Sequence, residues 1–265
     1  MITGLGFTEM AVIFLLVLVF FGSKELPHFA REGARLLAKA RRYSDKVRRE
    51  LDEMARPLND ASVAMRDDVG ERKRELRKRY RAARKELTEE EREEKSEKIW
   101  RRIKDSTQYR EARAVMAYMA TTEEVQMRGV VEQIIADGKR LILPYCRKEA
   151  CSLGIAEVRD PANDLVPGNY GIMEPRQDLR RNFLCSDLDF VIVPGVAFDR
   201  HGGRLGQGKA YYDNFLKDLK GNAAIWGVAF STQITDQVLP FDYHDVSVDR
   251  VVTEDGFIPD VSSEE

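Results

Sequence analysis

"DFVIVPGVAFDRHGGRLGQGKAYYDNFL", Asp189 to Leu216, is the stretch on which the fold turns. Its first ten residues are nearly all apolar, the composition of a strand buried on both faces. Glycines then crowd together at Gly202, Gly203, Gly206 and Gly208, ahead of a helical pattern. Gly203 to Lys209 fits G-x-x-x-x-G-K, the outline of a phosphate-cradling loop. Glycines let backbone N–H groups approach phosphate oxygens, and a lysine at the opening of a helix adds positive charge there. The Ser or Thr that would hold Mg²⁺ in such a loop is Ala210 here, so an acceptor must come from elsewhere. Asp213, four residues past Lys209, is expected on the same helical face. A glycine-rich turn without a ligand also satisfies this short motif.

Outward from this stretch, two helices come first and strands then alternate with helices. "GERKRELRKRYRAARKEL" (70–87) reads as a helix, and "TEEEREEKSEKIWRRIKD" (88–105) starts another, with Thr88 as N-cap and Glu91 placed to complete a capping box. The acidic run of the second reads as a solvated face. "AVMAYMA" (114–120) and "RLILPYC" (140–146) read as buried strands around a helix ending at Gly138, and "AIWGVAF" (224–230) as a further strand. The pattern predicts an α/β domain with a largely parallel sheet flanked by helices. A net charge of -2 gives no reason to expect nucleic-acid binding. Cys146, Cys151 and Cys185 with His28, His201 and His244 suggest neither a disulfide framework nor a zinc site.

The N-terminal part is a different object. "EMAVIFLLVLVFFGSKELP" (9–27) is solidly apolar only from Met10 to Phe21, short of the roughly 20 residues of a typical spanning helix. No basic n-region or small-residue cleavage site marks it as a signal peptide. Beyond Gly22 and Pro27, apolar and small residues recur every three or four positions from Phe29 to Met54, the stripe of an amphipathic helix. Lys24 to Arg56 holds ten Lys/Arg against six Asp/Glu, which suits an anionic membrane surface and places everything after Ser23 in the cytoplasm. The composition changes again near "RPLNDASVAMRDDVG" (56–70). The expected organisation is therefore a membrane module over 1–56, a linker over 57–70 and a globular domain over 71–265.

The short apolar helix, the Phe21-Gly22 hinge, Leu26-Pro27 and the basic amphipathic helix resemble the small A/B-type subunits of the twin-arginine protein translocase. That resemblance implies a single-pass inner-membrane segment whose shortness thins the bilayer. It also implies self-association through the helix and contact with the channel-forming C-type subunit; Glu9 resembles the B type, whereas the limited length before the next domain resembles the A type.

The rest of the chain resembles 5-formyltetrahydrofolate cyclo-ligase, also called methenyltetrahydrofolate synthetase. Besides the opening stretch, the shared blocks are "KRELR" (73–77), "YMATTEEV" (118–125), "LILP" (141–144), "NYGIMEP" (169–175) and "LPFDYHDVSVDRVVT" (239–253). The resemblance implies the cyclo-ligase fold, of the NagB/RpiA-like type, and ATP and Mg²⁺ as cofactors. It assigns ATP to Lys73, Arg77, Arg204, Leu205, Gly206, Gln207, Gly208, Lys209, Ala210, Tyr211 and Tyr212, with Lys209, Arg204 and Tyr211 nearest the chemistry. Asp213 and Asp245 are the implied Mg²⁺ ligands. Met119 and Glu124 would line the folate site together with Gln207 to Tyr211, and Tyr170 and Glu174 are further candidates, Tyr170 reading equally as packing.

The implied reaction is ring closure: the N5-formyl oxygen of 5-formyltetrahydrofolate takes the γ-phosphoryl of ATP, N10 attacks the iminium phosphate, and phosphate leaves to give 5,10-methenyltetrahydrofolate. Positioning and charge neutralisation suffice, with no protein nucleophile. Two positions depart from the family pattern: Ala210 stands where glycine usually follows the lysine, and Met127 where threonine is frequent. An alanine there adds a β-carbon where the chain needs close approach or positive φ. Two other readings compete. A generic P-loop NTPase lacks its Ser/Thr and a Walker-B aspartate after "AIWGVAF". A translocase component carrying a non-catalytic or altered-specificity cyclo-ligase-like domain is the other.

Overall fold

The computed structural model describes residues 67–259 apart from 128, 220 and 222, and, nearer the N-terminus, residues 12, 16 and 44–48. The chain divides into two compact units, Met1–Arg66 and Asp67–Glu265. In the first, Val12, Leu16 and residues 44–48 are helical. The remainder of the expected anchor Met10–Phe21, the breaks at Gly22 and Pro27, most of the amphipathic stretch His28–Met54 and linker residues 57–66 lie outside the described residues. Among the described residues no helix is long and apolar enough to cross a membrane.

The second unit begins with helix α1, residues 67–85, so the last four positions expected in the linker are helical. Helix α2 (Glu89–Lys104) opens on the expected capping box. The Thr88 hydroxyl accepts from the Glu91 N–H at 3.2 Å and the Glu91 carboxylate accepts from the Thr88 N–H at 2.8 Å, satisfying two otherwise orphaned donors. Glu89 to Glu91 in its first turn and Arg101, Arg102 and Lys104 in its last complement the helix dipole. Helix α3 (Thr107–Glu111) leads into the sheet, and α4 (Val130–Ala136) is terminated by Gly138 at φ +76°, the left-handed conformation glycine adopts without strain.

The strands are β1 (Ala114–Met116), β2 (Arg140–Arg147), β3 (Ser152–Val158), β4 (Leu165–Pro167), β5 (Met173–Pro175), β6 (Phe190–Pro194), β7 (Ala197–Asp199), β8 (Arg204–Leu205), β9 (Ala224–Val228), β10 (Ile234–Thr235), β11 (Arg250–Val252) and β12 (Phe257–Ile258). Seven form the main sheet in the order β12-β11-β9-β6-β1-β2-β3. The five inner strands are parallel, and β12 and β3 are antiparallel edges. The predicted parallel α/β architecture is therefore present with an antiparallel strand on each side. The "AVMAYMA" strand is shorter than expected, since β1 ends at Met116. "FVIVPGVAF" is two strands: the chain leaves the main sheet after Pro194, and β7 pairs with β8 and β10 in a separate three-stranded sheet.

Alternate side chains divide the core between the two faces. Phe190 and Ile192 of β6 join Ile99 and Ile103 of α2, Tyr109 of α3 and Ile134 of α4 on one face. Val191 and Val193 join Phe215, Leu216 and Val248 on the other. This period of two on a strand covered twice explains why β6 reads as continuously apolar. Phe190 is fully buried and meets Trp226 edge-on, ring centroids 5.0 Å apart. The chain runs outward from β1 to β2 on one side and to β6 on the other, so the connections leave a crevice at the carboxyl ends of β1 and β6. Such a topological switch point is where open α/β sheets bind ligands.

Candidate functional site

The crevice contains a cavity of about 780 Å³. Its walls come from α1, the segment after β1, the end of β2, β5, the connection from β8 into helix α5 (Tyr211–Leu216), and residues 242–245. Lys73, Arg77, Met119, Glu124, Glu174, Arg204, Asp213, Asp245 and every residue from Leu205 to Tyr212 line it. The structure thus brings together every predicted site residue except Tyr170. The backbone of Tyr170 lies in the 3₁₀ turn Asn169–Gly171, and its side chain is outside the described set.

The glycine-rich stretch is not built as a P-loop. β7 ends at Asp199, which is buried and pins the turn that follows: Oδ1 accepts from the N–H groups of His201 (2.9 Å) and Gly203 (2.8 Å), and Oδ2 from Leu239 N–H (2.9 Å). A β-carbon on Gly203 would stand 2.3 Å from Asp199 Oδ2, so only glycine fits. β8 then occupies positions 204–205, in the middle of the G-x-x-x-x-G-K match. The remaining loop, Gly206 to Ala210, is held by α1. Arg77 Nε donates to the Gly206 carbonyl at 2.8 Å, and Arg81 Nη2 donates to Gln207 Oε1 at 2.6 Å.

Ala210 has φ 54° and ψ 12° and immediately precedes α5. The concern raised by alanine at this position is therefore concrete: the backbone is left-handed there, a conformation that costs an L-residue roughly 1–2 kcal/mol. It also corrects the expectation that Lys209 and Asp213 share a helical face. Helix α5 starts at Tyr211, so Lys209 lies before the helix with a left-handed turn between them, although both line the cavity.

Charge is arranged in pairs. Arg204 Nη2 donates to Asp213 Oδ1 at 2.6 Å with both side chains largely buried, and its guanidinium lies 5.5 Å from the Tyr212 ring centroid. Asp213 Oδ1 also accepts weakly from Val246 N–H at 3.4 Å. Lys73 bonds Asp245 through Oδ2, which also accepts from Asp242 N–H at 2.7 Å. Both expected metal carboxylates are thus anchored by cations 9 and 172 positions distant in the chain. Burial and then the neighbouring Arg81 hold Arg77 below the usual guanidinium range, with Asp245 and Asp213 opposing.

On the other wall, Glu124 is buried, and its Oε2 accepts from Thr121 N–H at 3.0 Å. Glu174 is buried too. It accepts from Arg180 Nη2 at 3.1 Å and Asn169 N–H at 3.3 Å, so it braces the turn after β4 as well as facing the cavity. Burial, reinforced by Glu174, pushes the Cys146 thiol up to about 11. Burial also raises the Tyr212 hydroxyl, with Glu124 adding to the effect.

Sequence reading missed Arg81, Arg84, Tyr118 and Asp199. The spacing could have found the arginines, because Lys73, Arg77, Arg81 and Arg84 fall on one face of α1. Asp199 ahead of Gly202 and Gly203 carries the local signal of a turn, but its bond from Leu239 N–H, 40 positions on, has none.

The model of the 5-formyltetrahydrofolate cyclo-ligase family matches residues 69–254, and that of the mttA/Hcf106 family matches residues 3–50. The 5-formyltetrahydrofolate cyclo-ligase of Mus musculus is 29% identical over 177 residues, covering 64% of this chain and 87% of that protein. The Escherichia coli K12 protein of the same name is 29% identical over 168 residues, covering 63% and 92%. The solution structure of Aquifex aeolicus 5,10-methenyltetrahydrofolate synthetase is 38% identical with a TM-score of 0.62, covering 70% of this chain and 91% of that one. The synthetase from Mycoplasma pneumoniae shares the fold at 22% identity, with a TM-score of 0.54 and coverage of 69% and 98%. The chain therefore belongs to the 5-formyltetrahydrofolate cyclo-ligase family of enzymes, with an N-terminal segment that matches the mttA/Hcf106 family.

Proposed function

We propose that the domain over 71–265 catalyses the ATP- and Mg²⁺-dependent conversion of 5-formyltetrahydrofolate to 5,10-methenyltetrahydrofolate. The observation that carries this reading is the cavity at the switch point. Its walls draw residues from segments more than a hundred positions apart, and they include nearly the whole set that the family resemblance assigns to nucleotide and folate. Lys73, Arg77, Arg204 and Lys209 supply positive charge for a transferring phosphoryl group, which is the main demand of this chemistry. Glu124 and Met119 offer a carboxylate and an apolar contact suited to a pterin ring. Cys146, its thiol pushed up to about 11, is not a thiolate near neutral pH and supplies no nucleophile.

The donor set suits Mg²⁺. Asp213 and Asp245 present hard carboxylate oxygens beside the phosphate-directed cations. Among the described residues no group of three or more His, Cys, Asp or Glu is placed to cage a metal. Mg²⁺ ordinarily takes one or two carboxylates and draws its other ligands from phosphate and water. Asp213 and Asp245 would hold it, and it would supply charge neutralisation at the phosphates. The test is direct: the full chain with 5-formyltetrahydrofolate, ATP and Mg²⁺ is expected to develop the methenyl absorbance, one ADP per product. No absorbance at saturating substrates overturns the reading.

We further propose that residues 1–56 form a twin-arginine-translocase-like module that holds the enzyme at the cytoplasmic face of the inner membrane. The match over residues 3–50, the apolar run and the basic excess after it support this. Self-association and a C-type translocase subunit are the partners this module implies. Retention of the chain in membranes after an alkaline wash is expected; a fully soluble chain overturns the anchor. Retention without turnover would instead favour a translocase component with a non-catalytic domain.

A further inference from the structure

We propose that Arg81 is a positioning residue for folate recognition: it orients the Gln207 amide so that the amide donates to Glu124, the carboxylate assigned to the pterin; the inference rests on the folate reading of the cavity given above. The relay joins three walls of the cavity. Arg81 is a half-buried side chain of α1, Gln207 lies in the loop between β8 and α5, and Glu124 stands in the segment after β1. Arg81 Nη2 donates to Gln207 Oε1 at 2.6 Å, and Gln207 Nε2 lies 3.5 Å from Glu124 Oε1, the outer limit of a hydrogen bond. The two ends fix the middle. A guanidinium only donates and a carboxylate only accepts, so the amide between them has one productive orientation, oxygen to Arg81 and nitrogen to Glu124.

The surroundings of Glu124 show why an adapter serves better than a direct cation. Glu124 is only 8% exposed, yet among the described residues it enters no ion pair: its partners are Thr121 N–H, 3.0 Å from Oε2, and the Gln207 amide. The adjacent Glu123 takes Arg84 at 3.2 Å and Lys85 at 3.5 Å instead. A guanidinium forked onto Glu124 would occupy both oxygens in the geometry that the N–H groups of a pterin need. One N–H on each oxygen holds the carboxylate in place and leaves each oxygen a further lone pair for the ligand. The charge of Arg81 polarises the amide and strengthens that bond from a distance. Keeping Arg81 has a cost, because it stands one turn from Arg77 and, after burial, is the next cause that holds Arg77 below the usual guanidinium range. Clamping the loop does not account for that cost, since Arg77 already holds the same loop at the Gly206 carbonyl.

The experiment is calorimetric binding of 5-formyltetrahydrofolate to the full chain without ATP, where ring closure cannot proceed. Arg81→Met and Gln207→Ala should each weaken binding roughly three- to tenfold, the worth of one ordinary hydrogen bond. Combining them should add less than about twofold, because both break the same relay. Arg81→Lys keeps a donor for Gln207 Oε1 and should recover part of the loss. Gln207→Glu is the deciding variant and leaves α1 untouched: it strengthens the tie between Arg81 and the loop but faces Glu124 with a like charge, so it should bind more weakly than Gln207→Ala. Binding by Gln207→Glu as tight as that of Gln207→Ala, or tighter, would make the bridge a loop clamp and overturns the proposal. An Arg81→Met effect that persists undiminished in the Gln207→Ala background overturns it too, since Arg81 would then act on the ligand directly. If the wild-type chain does not bind 5-formyltetrahydrofolate, the folate reading of the cavity fails and this inference with it. Wild-type binding with either overturning result refutes the relay alone.

Discussion

Ala210→Gly offers a clean test of the loop on which the site depends. Ala210 has φ 54° and ψ 12°, squarely left-handed. Holding an L-residue there costs roughly 1–2 kcal/mol, which glycine avoids. Glycine in turn gives the unfolded chain more freedom, at a cost of roughly 0.4–1 kcal/mol. The difference predicts that Ala210→Gly stabilises the domain by roughly 0.5–1 kcal/mol, or an increase of about 1–4 °C in Tm for a domain of this size. The only two tryptophans, Trp100 and Trp226, both lie in the second unit, so urea unfolding followed by their fluorescence reports this domain even in the full chain. Because glycine occupies the same conformation, the rate should change by less than about threefold. Ala210→Val, with a β-branched side chain in the same conformation, should destabilise by roughly 1–3 kcal/mol. Destabilisation by Ala210→Gly would refute the left-handed assignment, because only a residue of negative φ loses by the exchange.

Other expectations follow from the charges. Lys209→Ala should lower the rate at least a hundredfold, roughly 3 kcal/mol of transition-state stabilisation; a change below tenfold in turnover assays would remove Lys209 from the chemistry. Asp213→Asn should raise the Mg²⁺ concentration for half-maximal rate and lower Tm as well, since it uncharges one side of a buried pair with Arg204. An unchanged metal dependence would place the metal elsewhere. Burial tends to raise Glu254, but hydrogen bonds from Lys95 and Ser231 outweigh it and hold its pKa below the usual carboxylate range. Its contribution is therefore present above the unfolded pKa and lost as pH falls through the folded one. Glu254→Gln should flatten the acid limb of unfolding free energy measured from about pH 7 to pH 3, and an unchanged slope counts against the ion pair. Leu16→Asp should cost roughly 3 kcal/mol of membrane insertion and shift the chain to the soluble fraction with folate turnover intact; an unshifted distribution after alkaline washing would argue against the anchor.

What the sequence determined by itself was whatever depends on neighbours along the chain. The Thr88 and Glu91 capping box, the left-handed stop at Gly138, the continuous apolar run of β6 and the dispersed family blocks were all legible, because each is a local pattern with a local cause. The candidate residues were also legible, but as a set, without their arrangement. Tertiary structure alone decided that β8 interrupts the glycine-rich match and that a left-handed turn separates Lys209 from Asp213, since pairing with β7 and docking against α1 override a helical reading of the loop. Lys73 meets Asp245 across 172 positions and Arg77 reaches Gly206 across 129. Such contacts form only when β1 and β6 lie side by side and their connections diverge. The burial of Arg84 belongs to the same class: an arginine on a basic helix reads as solvated until the fold closes a cavity over it.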